Sequence, residues 1–220
     1  MRVYPAKYGF YLNEFDPYFD YYATRFIVNN AERHGFGVIL SDDANINYFK
    51  WQDYRTWYPE GRNVAASSQI GLHFAGAVLY LAARNLFGLT VTLYDFLVLF
   101  PVFFGALTTI AVYLLVKKIS GAAAGLLAAL VIAFSPPIIT RGNLGWFKSE
   151  PLALFLTLFA SYLYLSLYDA KTSSVGVILR GLAAGLLLGY ANTAWGGSQY
   201  FSIVFALLLI CSPFLNVDLK

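Results

Sequence analysis

The sequence predicts an all-α fold, a polytopic bundle of membrane helices behind a long polar-aromatic region that carries amphipathic helices of its own. Three observations predict it. Of 220 residues, 59% are hydrophobic and 12% charged, against roughly 25% charged in a soluble domain. Mean hydropathy is +0.59. The 27 charged side chains are also unevenly spread, sixteen lying in residues 1–90 and eleven in the 130 residues that follow. So apolar a chain is not disordered, and a single cysteine, Cys211, rules out a disulfide scaffold. A net charge of +3 with no basic block argues for no nucleic-acid partner and leaves the lipid bilayer as the expected one.

Residues 1–95 read as one external loop with interfacial helices, and residues 96–220 as a transmembrane bundle of about five spans. Asp16-Pro17 opens a helical pattern whose apolar residues, Phe19, Tyr22, Ala23, Phe26 and Ile27, share one face. Asp20, Thr24, Arg25 and Glu32 are its polar positions, and such a helix suits a membrane surface. Asn45–Asn47 and Pro59–Gly61 mark turns. Ile70–Ala83 is apolar for fourteen residues and stops at Arg84-Asn85. A crossing needs about 20 residues, so this run is expected to be interfacial or re-entrant.

The spans follow from apolar length. They run Phe96–Val116, ending at Lys117-Lys118; Gly121–Ile139, ending before Arg141; and Pro151–Tyr168, closed by Asp169 and Lys171. Val177–Thr193 has Arg180 near its start, and Tyr200–Leu215 precedes Asp218 and Lys220. Glycines at four-residue spacing, Gly121 and Gly125, then Gly181, Gly185 and Gly189, suit close helix packing. If Ile70–Ala83 does not cross, residues 1–95 and the 140–150 loop share one side. Lys117, Lys118, Lys171, Arg180 and Lys220 share the other, which the positive-inside rule makes cytoplasmic.

Two loops carry candidate chemistry. Asp16, directly before a helix with Pro17 behind it, is either an N-cap or a cation-site or phosphate-site carboxylate. The 140–150 loop holds Arg141, Lys148 and Glu150 beside two glycines, at the start of a helix whose free N–H groups favour anions. On the non-crossing topology it faces the same compartment as Asp16, so the two loops can contribute a carboxylate pair to a divalent cation. Arg55, Trp57, Tyr58 and Arg62 form an aromatic and basic stretch that is either an interface belt or the lining of a site. His34 and His73 have no ligand-spaced partner and read as structural.

Four segments, in order along nearly the whole chain, resemble one family. They are Glu14-Phe15-Asp16-Pro17-Tyr18-Phe19; Trp57-Tyr58-Pro59-Glu60-Gly61-Arg62; Ser135-Pro136 through Arg141 to Gly145-Trp146-Phe147-Lys148-Ser149-Glu150; and Ala194-Trp195-Gly196-Gly197. The resemblance is to the catalytic subunit of oligosaccharyltransferase in its archaeal and eukaryotic forms. It implies a GT-C-type membrane glycosyltransferase with Mn2+ or Mg2+ at the external face. Such an enzyme moves a glycan from a dolichyl phosphate or diphosphate carrier (a lipid-linked oligosaccharide) to the asparagine of an Asn-x-Ser/Thr acceptor polypeptide. By resemblance Asp16 and Glu150 are metal ligands, and Asp16, Glu150 and Arg141 are catalytic. Lys148, Arg55, Trp57, Tyr58 and Arg62 would bind substrate. The resemblance implies a multi-pass protein of the cell membrane, or of the endoplasmic reticulum in a eukaryote, with the site on the external face.

Three departures accompany it. Lys148 stands where the family has a metal-binding aspartate, which implies that its ammonium binds carrier phosphate and replaces part of the cation's charge. The family has a spanning helix before the first external loop. It also has later spans, a distal-loop glutamate and a soluble WWDYG-bearing domain. The chain is therefore expected to be a partial enzyme or a truncated, inactive copy. A protein O-mannosyltransferase-like enzyme of the same class, and a non-catalytic membrane partner, are the alternatives.

Overall fold

The computed structural model describes residues 2–168, 173–211 and 214. The expected span-closing charges Asp169, Lys171, Asp218 and Lys220 lie outside the described residues. Helix α1, Phe15–His34, begins the ordered helical structure after a short 3-10 turn at Tyr4–Tyr8. It ends where Gly35 turns the chain at φ 76° and donates its N–H to Ala31 O. Its apolar stripe, Ala23, Ile27, Val28 and Ala31, is buried against Ala77, Tyr80 and Leu81, with Tyr48, Trp51 and Val64 filling the gap. The stripe is thus used on protein packing rather than on a membrane surface. Trp51 stacks on Phe26 with ring centroids 4.0 Å apart. Strands β1, Gln52–Asp53, and β2, Arg62–Asn63, pair antiparallel, and the one-turn helix α2, Val64–Ser67, follows.

Helix α3 runs Ile70–Phe87, four residues past the expected end. Arg84 and Asn85 do not stop it; the stop comes at Gly88, which takes the left-handed cap at φ 65°. At 18 residues it is long and apolar enough to cross a membrane, by length and composition, so the length argument for a non-crossing segment does not hold. The same description fits Leu93–Phe134, Ser149–Tyr168 and Ser174–Ala194.

Helix α4, Leu93–Phe134, covers 42 residues. It holds two expected spans in one helical stretch broken at Gly121, whose φ 84° and ψ 174° are not helical. The second half folds back on the first, so that a Cβ on Gly125 would lie 2.9 Å from the Tyr113 carbonyl oxygen. Gly121 is therefore the turn and Gly125 the close-packing glycine of that pair. The other trio does not pack as expected, since added Cβ atoms on Gly181, Gly185 and Gly189 would meet nothing within 4 Å among the described residues.

Helix α5, Pro136–Arg141, is a short piece cut off by Ser135-Pro136. Helices α6, Ser149–Leu165, and α7, Ser174–Ala194, complete the bundle, with α8, Gln199–Cys211, packed beyond the Gly196–Ser198 turn. The central core joins Leu72, Leu97, Val98, Phe100, Leu144, Phe147, Leu152, Ala153, Ala191 and Ala194. Two of these, Leu144 and Phe147, come from the loop before α6. Phe147 is fully buried, with its ring 5.1 Å from Phe100 in a T-shaped contact, so the loop is fixed by its own apolar residues.

Helices α3 and α7 meet at Gly71, where a Cβ would stand 2.7 Å from the Ala194 backbone nitrogen. The Tyr190 hydroxyl donates to Gly71 O at 2.8 Å. Gly71→Val is expected to cost about 1–3 kcal/mol by overpacking, read as a lower thermal midpoint of the detergent-solubilised chain. Gly185→Val, facing open space, serves as the control.

Candidate functional site

The N-terminal segment and the loop before α6 are laced together by backbone. Asn13 N–H donates to Gly145 O at 3.0 Å, Leu144 N–H to Arg2 O at 3.1 Å, and Gly145 N–H to Val98 O at 2.9 Å. The Asn13 side chain donates to Leu144 O at 2.8 Å. Gly145 has φ 83° and lies against the Tyr11 carbonyl with no room for a Cβ, so only glycine fits there. This lacing sets Asp16 opposite Lys148 across 132 residues of sequence.

Asp16 does not cap α1. The helix begins at Phe15 and its N-cap residue, Glu14, holds φ 65° with no side-chain cap. The Asp16 carboxylate instead pairs with the Lys148 ammonium. Lys148 is itself the N-cap residue of α6. Its side chain is 15% exposed, whereas that of Asp16 is 68% exposed. Arg141 and Glu150 form a second charged pair. Arg141 Nη1 donates to Glu150 Oε1 at 2.7 Å, and the guanidinium lies 4.9 Å from the Trp146 ring. Lys148 Nζ stands 5.6 Å from the same ring on its way to Asp16.

A pocket of about 470 Å³ opens between α1 and this loop, lined by Phe15, Asp16, Phe19, Asp20, Thr56, Trp57, Arg62, Ser67, Ser68, Gln69 and Lys148. The Arg62 guanidinium lies 3.9 Å over the Phe19 ring and 5.9 Å from Trp57. Two cationic heads, two carboxylates, aromatic faces and hydroxyls surround one opening, a lining that offers charge-assisted hydrogen bonds and ring faces to a polar ligand. Several buried polar atoms nearby have no protein partner: Arg62 Nε, Trp146 Nε1, Ser149 Oγ and Glu150 Oε2. Orphans are few in native proteins, so these atoms keep hydrogen-bonding capacity for water or a ligand.

Of the residues expected at the site, the structure brings Asp16, Lys148, Trp57 and Arg62 to one pocket and sets Arg141 and Glu150 beside it as a pair. Arg55 and Tyr58 are exposed and do not line it. Trp57, at φ 58°, is held in the left-handed region, which costs a non-glycine residue of order 1 kcal/mol. The tether is Asp53, buried under the turn, which accepts from Tyr22 Oη at 3.1 Å, Thr56 Oγ1 at 2.6 Å and the Arg55 N–H at 3.2 Å. That carboxylate beside Tyr22 also helps burial hold the phenol above its ordinary pKa. Asp53→Ala should strand three donors, at ~1–3 kcal/mol, and trypsin should then cut at the exposed Arg55 several times faster than in the parent.

Missing from the sequence-level list are Asp20, His73 and Tyr48. His73 Nε2 lies 2.8 Å from Asp20 Oδ1 and its Nδ1 lies 2.6 Å from the Tyr48 hydroxyl, all buried. Asp20 sits one helical turn after Asp16 on the same face of α1, a spacing that was available in the sequence. Nothing in the sequence pairs residues 20 and 73, which lie 53 positions apart.

The two carboxylates implied as metal ligands are each already matched by a cation, Asp16 by Lys148 and Glu150 by Arg141. Among the described residues no group of three or more His, Cys, Asp or Glu could hold a metal ion.

A helix bundle with apolar crossing-length helices, its loops folded into an aromatic pocket where Lys148 and Arg62 stand beside Asp16 and Asp20, defines a multi-pass membrane protein. A family model described as "Oligosaccharyl transferase STT3, N-terminal" matches residues 4–217, and the chain belongs to that family. It is 33% identical over 196 residues to the dolichyl-diphosphooligosaccharide–protein glycosyltransferase subunit STT3 of Saccharomyces cerevisiae, covering 89% of this chain and 25% of that protein. The STT3B subunit of Oryza sativa is 33% identical over 191 residues, covering 87% of this chain and 24% of its own length. The chain thus spans about a quarter of the curated relatives it matches.

Its fold is that of the Archaeoglobus fulgidus oligosaccharyltransferase. The TM-score is 0.69 to the apo form at 19% identity, covering 96% of this chain and 23% of that one. It is 0.67 to the form with zinc and sulfate at 20% identity, with coverages of 92% and 24%. A third structure of that enzyme, in complex with an inhibitory peptide and a dolichol-phosphate, superposes at 0.68 and 21% identity, with coverages of 94% and 23%. The O-mannosyltransferase-like alternative is not favoured by these matches.

Proposed function

We propose that this chain is the N-terminal membrane portion of an N-glycosylation enzyme. The enzyme transfers a glycan from a dolichyl phosphate or diphosphate carrier to the asparagine of an Asn-x-Ser/Thr acceptor, and the pocket beside Asp16 receives the carrier's phosphate. The observation that carries this reading is the convergence of Lys148 and Arg62 on one pocket, with Asp16 and Trp57. An ammonium and a guanidinium meet phosphate oxygens through charge-assisted hydrogen bonds. Trp57 offers a face to the first sugar, and Arg55 and Tyr58, on the exposed turn outside, extend that surface. Arg141 holds Glu150 at the start of α6, where the second carboxylate oxygen remains available to an amide N–H of the acceptor.

Manganese or magnesium is the cation implied by the family resemblance. With Lys148 seated on Asp16, positive charge at the phosphate comes here from the side chain itself, and no step is assigned to a metal. The pairing also supports a topology. Asp16 and Lys148 share one side of the membrane if the chain between them crosses an even number of times. If the two halves of α4, the second continued by α5, are those crossings, α3 lies along the bundle, packed on α1. Lys117 and Lys118, at the α4 turn, then occupy the cytoplasmic side, residues 1–95 form the external loop, and the pocket opens externally.

The test is carrier binding by the chain in lipid nanodiscs, with dolichyl phosphate as probe and dolichol as control. Retention of the phosphate-bearing lipid over dolichol is expected, reduced about tenfold by Arg62→Met, an effect of one charge-assisted contact. Equal retention of both lipids, or none, would overturn the reading.

A further inference from the structure

The phosphate reading assigns no role to the hydrogen-bonded trio Asp20, His73 and Tyr48, yet the trio ends at the same pocket. Asp20 lines the opening with Asp16 and Lys148, and its side chain is only 6% exposed. Its Oδ1 faces His73 Nε2 at 2.8 Å, and His73, with no exposure at all, has its other ring nitrogen 2.6 Å from the Tyr48 hydroxyl. One tautomer satisfies both contacts: Nε2–H donates to the carboxylate, and Nδ1 accepts the tyrosine O–H. A buried imidazole with both nitrogens engaged is fixed in rotamer and tautomer, and it presents Asp20 to the pocket in one orientation.

We propose that Asp20 is a further catalytic carboxylate of the pocket, which takes a proton from the acceptor amide, and that His73 and Tyr48 are the positioning residues that hold it. The inference rests on the transfer reading above. In that reaction the amide nitrogen forms a bond to the anomeric carbon and the carbon–oxygen bond to phosphate breaks, its electron pair leaving with the phosphate. The amide gives up one proton, which Asp20 accepts and later returns to water. A base is useful here because its proton affinity lies nearer the working pH than that of an exposed carboxylate. Burial raises the pKa of Asp20, and His73 and Lys148 oppose that rise, while the negative charge of Asp16 on the same helix adds to it. The groups facing Asp20 are thus Asp16 from α1, His73 from α3 and Lys148 from the loop, with Tyr48 behind the imidazole and pushed up to about 12, chiefly by burial.

The experiment is glycan transfer to an Asn-x-Ser peptide by the full chain in native membranes, measured against pH, with Asp20→Asn, His73→Gln and Tyr48→Phe. Asp20 works ionised, so the parent's rate should fall as pH drops through its pKa. Asp20→Asn, which keeps the shape and the His73 hydrogen bond, should lower kcat about 100-fold, leave KM for the carrier within about twofold, and lose that acid limb. His73→Gln, which can still donate to Asp20 but cannot titrate, should keep the limb, displace it, and recover most of the rate. Transfer by Asp20→Asn at the parent's rate and with the parent's pH profile would overturn the inference while leaving the transfer reading intact. If the chain by itself transfers nothing, as a portion of an enzyme can, a second readout decides whether Asp20 belongs to a ligand site. With 15N-labelled histidine, the His73 ring signals, assigned by His73→Gln, should move when dolichyl phosphate is added. Signals that do not move would overturn the inference.

Discussion

Replacing Lys148 by aspartate is expected to make ligand binding by the chain depend more steeply on a divalent cation than it does in the parent. The substitution removes the ammonium seated on Asp16 and puts a second carboxylate in its place. Two unpaired carboxylates then face each other, and each raises the other's proton affinity until a cation intervenes. In the presence of a chelator, dolichyl phosphate binding should fall about 100-fold, ~2.8 kcal/mol. Added Mn2+ should restore most of it and give an electron paramagnetic resonance signal of bound metal. Lys148→Met, which loses the charge without gaining a ligand, should show the fall and no recovery. If parent and Lys148→Asp respond to chelator and metal alike, the ammonium is not standing in for a cation.

The second large effect is on stability. His73→Leu fills the space of the imidazole with an apolar side chain and leaves Asp20 buried beside it without a partner. Breaking a buried pair from one side costs about 3–5 kcal/mol, enough to threaten a typical domain. The deficit should depend on pH in a set direction. Asp20 has its folded pKa raised above the ordinary 3.8 by burial, and removing His73 raises it further. A carboxyl with a raised folded pKa destabilises when ionised, so the loss is full at neutral pH and shrinks as pH falls through that raised value. Thermal unfolding of parent and variant in detergent at several pH values measures it. A deficit constant with pH would mean the loss is one of packing alone.

The paired effects bear on how much of the site could be read without coordinates. Asp16, Lys148, Trp57 and Arg62 were all visible as charged or aromatic punctuation in apolar surroundings, and the pocket gathers them. Arg55 and Tyr58 carry the same local signal and do not line it, because the exposed turn held by Asp53 turns Thr56 and Trp57 toward the pocket and leaves their neighbours outside. His73 carried a misleading signal. An isolated histidine in an apolar run looks structural by spacing, and its partners on α1 and in the Tyr48–Lys50 turn become neighbours only when α3 packs against both.

The helices follow the same division. Composition alone determined that this is a bundle of membrane helices with a polar-aromatic front. Apolar length is a local quantity, and about 20 uncharged residues find no other stable home. Lengths near the limit were decided elsewhere. Helix α3 continues through Arg84 and Asn85 because its stop is a left-handed glycine rather than a charge, and Gly121 divides α4 because the second half returns along the first. The same holds for Asp16. Its sequence neighbours suit a helix cap, and a local rule can offer nothing else. Only the lacing of residues 2–13 to the 142–148 loop brings an ammonium from 132 residues away, and with the helix starting at Phe15 the Asp16 side chain lies in the first turn and not at the cap position. The sequence by itself determined which residues carry charge in an apolar chain; the tertiary structure decided which of them meet, because contacts between distant segments are set by packing and not by order along the chain.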